Sequence, residues 1–443
     1  FFEGKLVMEN VSIKNNSADT FDVSSVNRII CIMSFTSSAS CLMSSLLDNH
    51  PNILSFPDNV VSSFSEFWQE FYSLPLEPLL DEFLDKYTTI FDARTVPNGF
   101  KGKAETGEAR GYTTLGLKRN EYLEVNQAAF RAYMKVFIGD SNNITRKLFF
   151  QAMHVAYAKA LNRSVINPII VFGLHSLTHP GRIKALMEDF SDVYFLTMVR
   201  HPLNATGSRL RSQIRNGIGI SHFHRIITGI SGAGAIDPAT KDSSWRAVRM
   251  EDLHQFPQET MENVSIWIDL PWNKILLEST INGKKWWNEK QGIQTSGFNS
   301  AIASQTFEDY LSKLDSLRLY ITLNRKCSAW SYKTPWWSNS FFSKLLVFPL
   351  LIIPFKIEII AWSLMSKSIL NSKEIFIMKI WLLLRMIIGG YGLGRIGLFR
   401  AWLFTIRGHQ TEVELLIAGM RIGYTVKESG SKVTTGRSSE THG

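Results

Sequence analysis

The chain has 443 residues, 45% of them hydrophobic and 20% charged, and a formal net charge of +9. This balance excludes a disordered chain, and the length is enough to bury a large core and carry an appendage. Three cysteines, Cys31, Cys41 and Cys327, are too few for a disulfide framework, and no cysteine or histidine spacing typical of a metal site occurs. We therefore expect a large globular domain with no bound metal.

The first organised stretch of the chain predicts a strand, a loop and a helix in succession. A short apolar run at 28–33 predicts a buried strand, and a small, hydroxyl-rich loop follows it at 34–40. Three leucines then share one face of a helix, which Pro51 ends. A helix N-terminus attracts anions, because its first N–H groups lack intrahelical partners and its dipole favours negative charge. The pattern indicates a phosphate-binding loop, with Ser38 and Ser40 as extra donors, or an ordinary buried strand–helix unit.

The sequence next predicts helices separated by a loop. Aromatic and aliphatic residues recur at helical spacing over 61–90, and Pro75 and Pro78 divide this segment into two helices whose aromatic side chains belong to the core. Residues 91–116 are rich in glycine and predict either a mobile lid or a long surface insertion. A further helix with an apolar face is predicted over 146–161.

Three more apolar runs predict strands, and helical segments follow them. The runs lie at 169–174, 193–199 and 245–253, the last of which passes directly into a helix. Strands that alternate with helices at this spacing are typical of an α/β fold with a parallel, doubly wound sheet and helices on both faces. Ligands of such sheets bind beyond the carboxyl ends of the strands, where residues 37–41, His175 and Arg200 are predicted to lie.

A second phosphate signal follows the strand at 193–199. Arg200, His201 and Pro202 form a turn there, and Ser208 comes on the next helix. An arginine fork together with a hydroxyl suits a phosphate monoester. An arginine at a strand end is also often part of a surface ion pair, so both interpretations stay open.

These motifs resemble those of the sulfotransferases. The loop at 37–41 resembles the family's 5′-phosphosulfate loop, and Arg200, Pro202 and Ser208 resemble its 3′-phosphate motif. The segment 248–253 resembles a third motif, in which Met250 replaces a tyrosine of the family. The resemblance covers about 27–298 and implies a P-loop-like fold that uses 3′-phosphoadenosine-5′-phosphosulfate as co-substrate. The co-substrate-binding residues that it implies are Ser37, Ser38, Ala39, Ser40, Cys41, Arg200, Ser208 and Arg249.

The resemblance also implies two candidates for the base that activates the acceptor. Asp58 lies where carboxylate-using sulfotransferases place a catalytic Glu shortly after the loop helix. His175 lies where the cytosolic branch has the His of its Lys-Thr-His segment. The alternatives are a solvated or capping role for Asp58 and a strand-end histidine at His175.

The sequence departs from the family pattern where the family carries positive charge. Ser37 and Gly173 each replace a basic residue. Transition-state charge is then left to backbone amides and hydroxyls, unless a cation such as Lys101, Lys103 or Arg110 comes in. These departures leave open a pseudoenzyme that binds nucleotide without transferring a sulfuryl group.

Residues 336–410 form a region that is both apolar and basic. Nine Lys and Arg stand against two Glu over 341–408, and no run reaches the roughly 20 uncharged apolar residues of a spanning helix. This composition favours a membrane surface over nucleic acid as a partner, with the helices lying in the interface. The alternative is an amphipathic region that packs on the globular domain.

The sequence thus predicts four parts. They are an N-terminal segment at 1–26 that can have lost a leader or anchor, a sulfotransferase-like domain at 27–335, the membrane-associating region at 336–410, and a largely disordered tail at 411–443. We expect a peripheral or monotopic membrane-associated sulfotransferase that acts on a hydroxyl or amine of a glycan, glycolipid or similar acceptor. The alternatives are the nucleotide-binding pseudoenzyme and a membrane-associated scaffold.

Overall fold

The computed structural model describes most of the first 350 residues and a few positions after them. The described residues are 21–34, 38–96, 106–139, 143–174, 180–205, 207–208, 244–290, 293–303, 311–350, 353, 355–356, 359–360, 376, 380 and 414–415. Much of the predicted membrane-associating region and nearly all of the predicted tail therefore lie outside the described residues.

A parallel sheet forms the centre of the protein. Its strands are β1 (Arg28–Ser34), β2 (Ile53–Ser55), β3 (Ile169–Leu174), β4 (Asp192–Val199), β5 (Trp245–Arg249) and a last strand, Glu414–Leu415. The order of the strands across the sheet is Glu414–Leu415, β5, β4, β1, β3 and β2, and every pair of neighbours is parallel. The chain order and the spatial order differ, so the sheet is wound outward from β1 in both directions. This confirms the predicted doubly wound α/β fold.

Helices cover both faces of the sheet. Those with defined bounds in the described part of the chain are α1 (Ser40–Leu47), α2 (Phe64–Phe71), α3 (Leu76–Lys86), α4 (Gln127–Ile138), α5 (Arg146–Ala160), α6 (Pro180–Asp189), α7 (Met250–Gln255), α8 (Pro257–Trp267), α9 (Ser300–Ala303), α10 (Lys313–Thr322), α11 (Asn324–Ala329) and α12 (Phe341–Leu350). Among the residues that the structure describes, two small antiparallel pairs stand apart from the main sheet: Thr280–Ile281 with Lys284–Lys285, and Asn288–Lys290 with Ile293–Thr295.

Two apolar cores lie on opposite faces of the sheet, because alternate side chains of a strand point to opposite sides. Ile29, Cys31 and Met33 of β1 join a large, aromatic-rich core that α2, α3 and α5 cover. Ile30 and Ile32 join a smaller core with leucines of α1 and residues of α7 and α8. The predicted role of the aromatic residues of α2 and α3 as core is confirmed.

The boundaries of several helices follow from capping residues and prolines. Pro75 is the N-cap of α3, so the chain breaks between α2 and α3 as this proline predicts. Pro78 lies in the first turn of α3, where a proline is tolerated, and does not break the helix as predicted. The Thr145 hydroxyl accepts a hydrogen bond from the Leu148 amide over 3.1 Å and begins α5. The Asn126 side chain does the same for the Ala129 amide at the start of α4, over 2.9 Å.

A buried ion pair holds the chain after α12 against α10. Arg318 and Asp315 are both fully buried and hydrogen-bond each other. Arg318 also donates to the backbone carbonyls of Leu350 and Ile353, while Asp315 accepts from the Lys356 amide over 2.9 Å. Each of the two charged side chains thus also binds backbone groups that end α12 or follow it. Among the described residues, no helix combines the length and the apolar character that crossing a bilayer requires.

Candidate functional site

The carboxyl ends of the central strands meet at one edge of the sheet. In the register of the sheet, Met33 of β1 faces Leu174 of β3, and Ser34 of β1 faces Met198 of β4. The segments that follow these three strands are therefore neighbours, as in other doubly wound sheets. Two of the predicted site residues, Ser37 and His175, lie outside the described residues.

The loop before α1 is tied to strand β4. The Ser38 side chain is buried, and its hydroxyl donates a hydrogen bond to the Met198 carbonyl oxygen over 2.6 Å. The single hydrogen of this hydroxyl is thereby engaged within the protein. In this structure the Ser38 hydroxyl positions the loop. Its direct contact with an anion, which the resemblance implies, stays a prediction.

The first turn of α1 begins at a residue with an unusual backbone. Ala39 is the N-cap, with φ 67° and ψ 29°, the left-handed region that glycine adopts most easily. The backbone of Ala39 thus has the conformation that a glycine would favour. The Ala39 side chain offers no oxygen to cap the amides of the first turn, to which Ser40 and Cys41 belong. This arrangement suits a helix end that meets an anion.

Asp58 lies beside the start of α1 together with a cation. Its Oδ2 is 3.3 Å from Cys41 Sγ and 3.4 Å from Arg110 Nη1, and the same Nη1 is 3.3 Å from Asn59 Oδ1. Burial opposes the charge on Arg110, but Tyr112, Asp58 and Cys41 outweigh it, so that the pKa of the guanidinium is raised. Arg110 is therefore the cation that the glycine-rich segment brings to this edge. The other two candidates, Lys101 and Lys103, lie outside the described residues.

The surroundings of Gly173 leave no room for a side chain. A Cβ atom added to Gly173 would lie 2.8 Å from the Asp58 carbonyl oxygen and 2.9 Å from the Asn59 Cα atom. Real Cβ atoms do not approach backbone so closely, so a side chain at this position would displace the segment that carries Asp58. Gly173 therefore leaves room for the segment that carries Asp58 beside the end of β3.

The predicted 3′-phosphate motif begins directly after β4. Arg200 is only 4% exposed, and burial lowers its pKa although Glu251 and Tyr332 oppose the shift. Residues 202–205 and 207–208 are helical, and Ser208 is partly exposed on this helix. The arginine and the helix thus both follow β4, as the motif predicts.

Glu251 holds this turn in place. Its Oε1 accepts a hydrogen bond from the His201 amide over 3.1 Å, and its Oε2 accepts one from the Tyr332 hydroxyl over 2.6 Å. The His201 ring packs edge-on against Tyr332, with the ring centroids 5.0 Å apart. Burial first and Arg200 second lower the pKa of His201 to about 4. The His201 ring is therefore uncharged at neutral pH beside the arginine.

Arg249 is engaged with groups of the protein itself. Its Nε and Nη2 donate to the two carboxylate oxygens of Asp252 over 2.7 and 2.8 Å, and its Nη1 donates to the Ser331 carbonyl over 3.3 Å. The bidentate pair fixes Arg249 on the first turns of α7, and the bond to Ser331 joins it to the segment that carries Tyr332. Contact of Arg249 with a nucleotide stays a prediction.

Glu251 and Tyr332 are the positioning residues that sequence reasoning missed. Glu251 belongs to the segment that resembles the third motif, so its place in the sequence offered a signal for it. Tyr332 lies 81 residues further along the chain, and nothing in its surroundings marks it. Among the described residues, no group of three or more His, Cys, Asp or Glu could hold a metal ion.

No family model matches the sequence, and no curated protein matches it. Solved structures do match, and their likeness to this chain is one of fold. The sulfotransferase domain from the curacin biosynthetic pathway is 16% identical, with a TM-score of 0.38, over 70% of this chain and 99% of its own. The sulfotransferase domain from the Synechococcus PCC 7002 olefin synthase has the same identity and TM-score, over 70% and 96%. Sulfotransferase STF9 from Mycobacterium avium is 15% identical, with a TM-score of 0.27, over 58% and 67%.

Proposed function

We propose that the protein transfers a sulfuryl group from 3′-phosphoadenosine-5′-phosphosulfate to a hydroxyl or amine of a glycan, glycolipid or similar acceptor. The observation that carries the proposal is the hydrogen bond of 2.6 Å from the Ser38 hydroxyl to the Met198 carbonyl. It links the N-terminal end of α1 to the end of β4, two residues before Arg200. A donor that is charged at both its 5′ and 3′ ends needs two anion sites, and we place them at these two neighbouring strand ends.

Each element of the site has a role in this reaction. The amides at the start of α1 hold the 5′-phosphosulfate, while Arg200 and Ser208 hold the 3′-phosphate. The acceptor oxygen or nitrogen attacks sulfur in line, and Asp58 takes its proton. The bond from sulfur to the 5′-phosphate oxygen breaks as the new bond to sulfur forms, and adenosine 3′,5′-bisphosphate leaves. Arg110 supplies the positive charge that stabilises the transferring group.

A first experiment measures binding of adenosine 3′,5′-bisphosphate by thermal shift. We expect the nucleotide to raise the melting temperature of the wild type, and the Arg200→Lys variant to lose this shift, because lysine cannot form the bidentate fork. Arg28→Lys is the matched control, since Arg28 forms its ion pairs with Asp192 and Asp269 at the opposite edge of the sheet. A wild type that shows no shift, or an equal loss in both variants, would contradict the proposed site.

A second experiment measures transfer of ³⁵S from the labelled donor to a panel of glycans and glycolipids. We expect Asp58→Asn to lower the rate by about 10²-fold or more, because the amide cannot accept the proton. The same variant should keep its thermal shift with adenosine 3′,5′-bisphosphate. If transfer persists at the wild-type rate, Asp58 is not the base.

The pseudoenzyme is the second candidate, and the close contact at Gly173 favours it. The Asp58 backbone leaves no room for a basic side chain there, so the usual cation cannot be restored at that position. A protein of this kind would bind the bisphosphate nucleotide and transfer nothing to any acceptor. The Ser37→Arg variant separates the two functions, since a gain in transfer would favour the enzyme and none would favour the pseudoenzyme.

A further inference from the structure

The start of the C-terminal region carries an exposed apolar surface. Its members, which we call the apolar face, are Trp336, Phe341, Phe342, Leu345 and Leu346, exposed to 89, 65, 74, 53 and 65%. Single exposed hydrophobic residues are normal on a protein surface, but five large ones within eleven positions are not. The four members on α12 recur at a spacing that places them on one side of the helix.

The opposite side of α12 is packed against the protein. Val347 is fully buried and forms a small core with Ile321 of α10, which Leu317 and Trp337 complete. The helix is therefore already packed against α10 on one side, and the apolar face does not contribute to this packing.

The apolar face also has a fixed orientation. Arg318 donates to the carbonyl of Leu350, the last residue of α12, and its guanidinium lies 3.9 Å from the centroid of the buried Phe355 ring. Asp315 receives the Lys356 amide from the same stretch of chain. A helix that is tied at its C-terminal end and packed along one side presents its other side outward as a preformed surface.

The charge of the surrounding sequence indicates what this surface meets. The nine Lys and Arg of residues 341–408 outnumber two Glu, and Lys344 lies on α12 itself, within the apolar face's own segment. Lys333 is exposed just before Trp336. A helix with aromatic and leucine side chains on one side, in a stretch of sequence rich in basic residues, matches an anionic lipid interface, where apolar groups insert and cations meet the headgroups. We propose that the apolar face docks on the surface of an anionic bilayer, with α12 lying in the plane of the interface.

Vesicle flotation of the full chain tests this proposal. We expect the wild type to float with vesicles of phosphatidylcholine and phosphatidylserine in equal parts, to bind vesicles of phosphatidylcholine alone less well, and to lose binding as salt is raised. The double variant Phe342→Ser/Leu346→Ser should bind the vesicles at least about tenfold more weakly than the wild type, because two inserted side chains are removed. The matched control is Leu117→Ser/Ile166→Ser, which changes two side chains that are 79 and 63% exposed elsewhere on the surface.

The outcomes separate the membrane from other partners of the apolar face. Circular dichroism and thermal unfolding establish that the double variant is folded before its binding is compared. A wild type that fails to float, or a double variant that floats as well as the control, would overturn the proposal. So would a wild type that is dimeric without lipid while the double variant is monomeric, because a second copy of the chain would then cover the apolar face.

Discussion

Arg110 reaches Asp58 from 52 positions along the chain, and its Nη1 lies 3.4 Å from the carboxylate Oδ2. The pair lies next to Cys41 at the start of α1, where the resemblance implies that the donor's phosphosulfate binds. The glycine-rich segment, which the sequence predicts as a lid or an insertion, thus contributes a cation to the candidate site.

Arg110 is expected to be needed for transfer more than for nucleotide binding. Arg110→Ala should lower the transfer rate by about 10²-fold, since it removes a charge that stabilises the transition state. Arg110→Lys should restore part of the rate. Arg119→Ala, which removes an exposed arginine that stacks on Trp287, is the control and should leave the rate unchanged. The role fails if Arg110→Ala weakens binding of adenosine 3′,5′-bisphosphate as strongly as it slows transfer.

Gly173 is expected to tolerate no side chain. Gly173→Ala should lower the free energy of unfolding by about 1–3 kcal/mol, because its Cβ atom would collide with the backbone of Asp58 and Asn59. Gly181→Ala is the control: an added Cβ atom has no neighbour within 4 Å there, so stability should be kept or slightly raised. Urea denaturation measures both, and equal stabilities in the two variants would refute the steric explanation.

Ala39 is expected to be a strained position. Ala39→Gly should raise the free energy of unfolding by up to about 1 kcal/mol, since glycine adopts the left-handed region without the steric cost of a Cβ atom. Ala132→Gly, inside α4, should instead lower the free energy of unfolding by about 1 kcal/mol. Opposite signs in chemical denaturation would support the strain, and a loss of stability in both variants would argue against it.

His154 is expected to make stability depend on pH. It is fully buried in α5, and burial lowers its pKa to about 4 despite a hydrogen bond with the Phe150 carbonyl. Between pH 6.5 and 4 the unfolded chain binds a proton at this residue that the folded chain does not, so acid destabilises the fold. The contribution of this residue should lower the free energy of unfolding by up to about 1.4 kcal/mol for each unit by which the pH is lowered.

The variant His154→Gln isolates this dependence. Its free energy of unfolding, measured by urea denaturation from pH 7 to 4, should fall less steeply than that of the wild type. Met153→Leu, a buried change on the same helix without a titrating group, should shift the curve without altering its slope. An unchanged slope in His154→Gln would place the pH dependence elsewhere.

The main elements of the fold could be predicted because their signals are local. The strand at Ile169–Leu174 has the predicted bounds, and Pro75 divides α2 from α3 as expected. The spatial order of the strands could not be predicted, since it depends on contacts between residues that are distant in sequence. The last strand, Glu414–Leu415, illustrates this, because two residues in a segment predicted as tail carry no periodic pattern and pair with β5 only in the folded chain.

The candidate site was predictable where a motif lies on one element and less so where it depends on tertiary contacts. The positions of Arg200 and residues 38–41 at strand ends follow from the strands themselves. The engagement of the Ser38 hydroxyl by Met198 could not be foreseen, because it joins two neighbouring strand ends that are 160 positions apart. The hydrogen bond from Tyr332 to Glu251 could not be foreseen either, because it joins residues that are 81 positions apart.

The C-terminal end of α12 is attached through main-chain atoms, and this has a consequence for how the protein can vary. Arg318 and Asp315 bind the carbonyls at 350 and 353 and the amide at 356, groups that nearly every amino acid supplies. The side chains on the outer side of α12 can therefore be exchanged without loosening its anchorage, provided that position 356 keeps its N–H. The exposed side chains of α12 can thus change while the position of the helix in the fold stays the same.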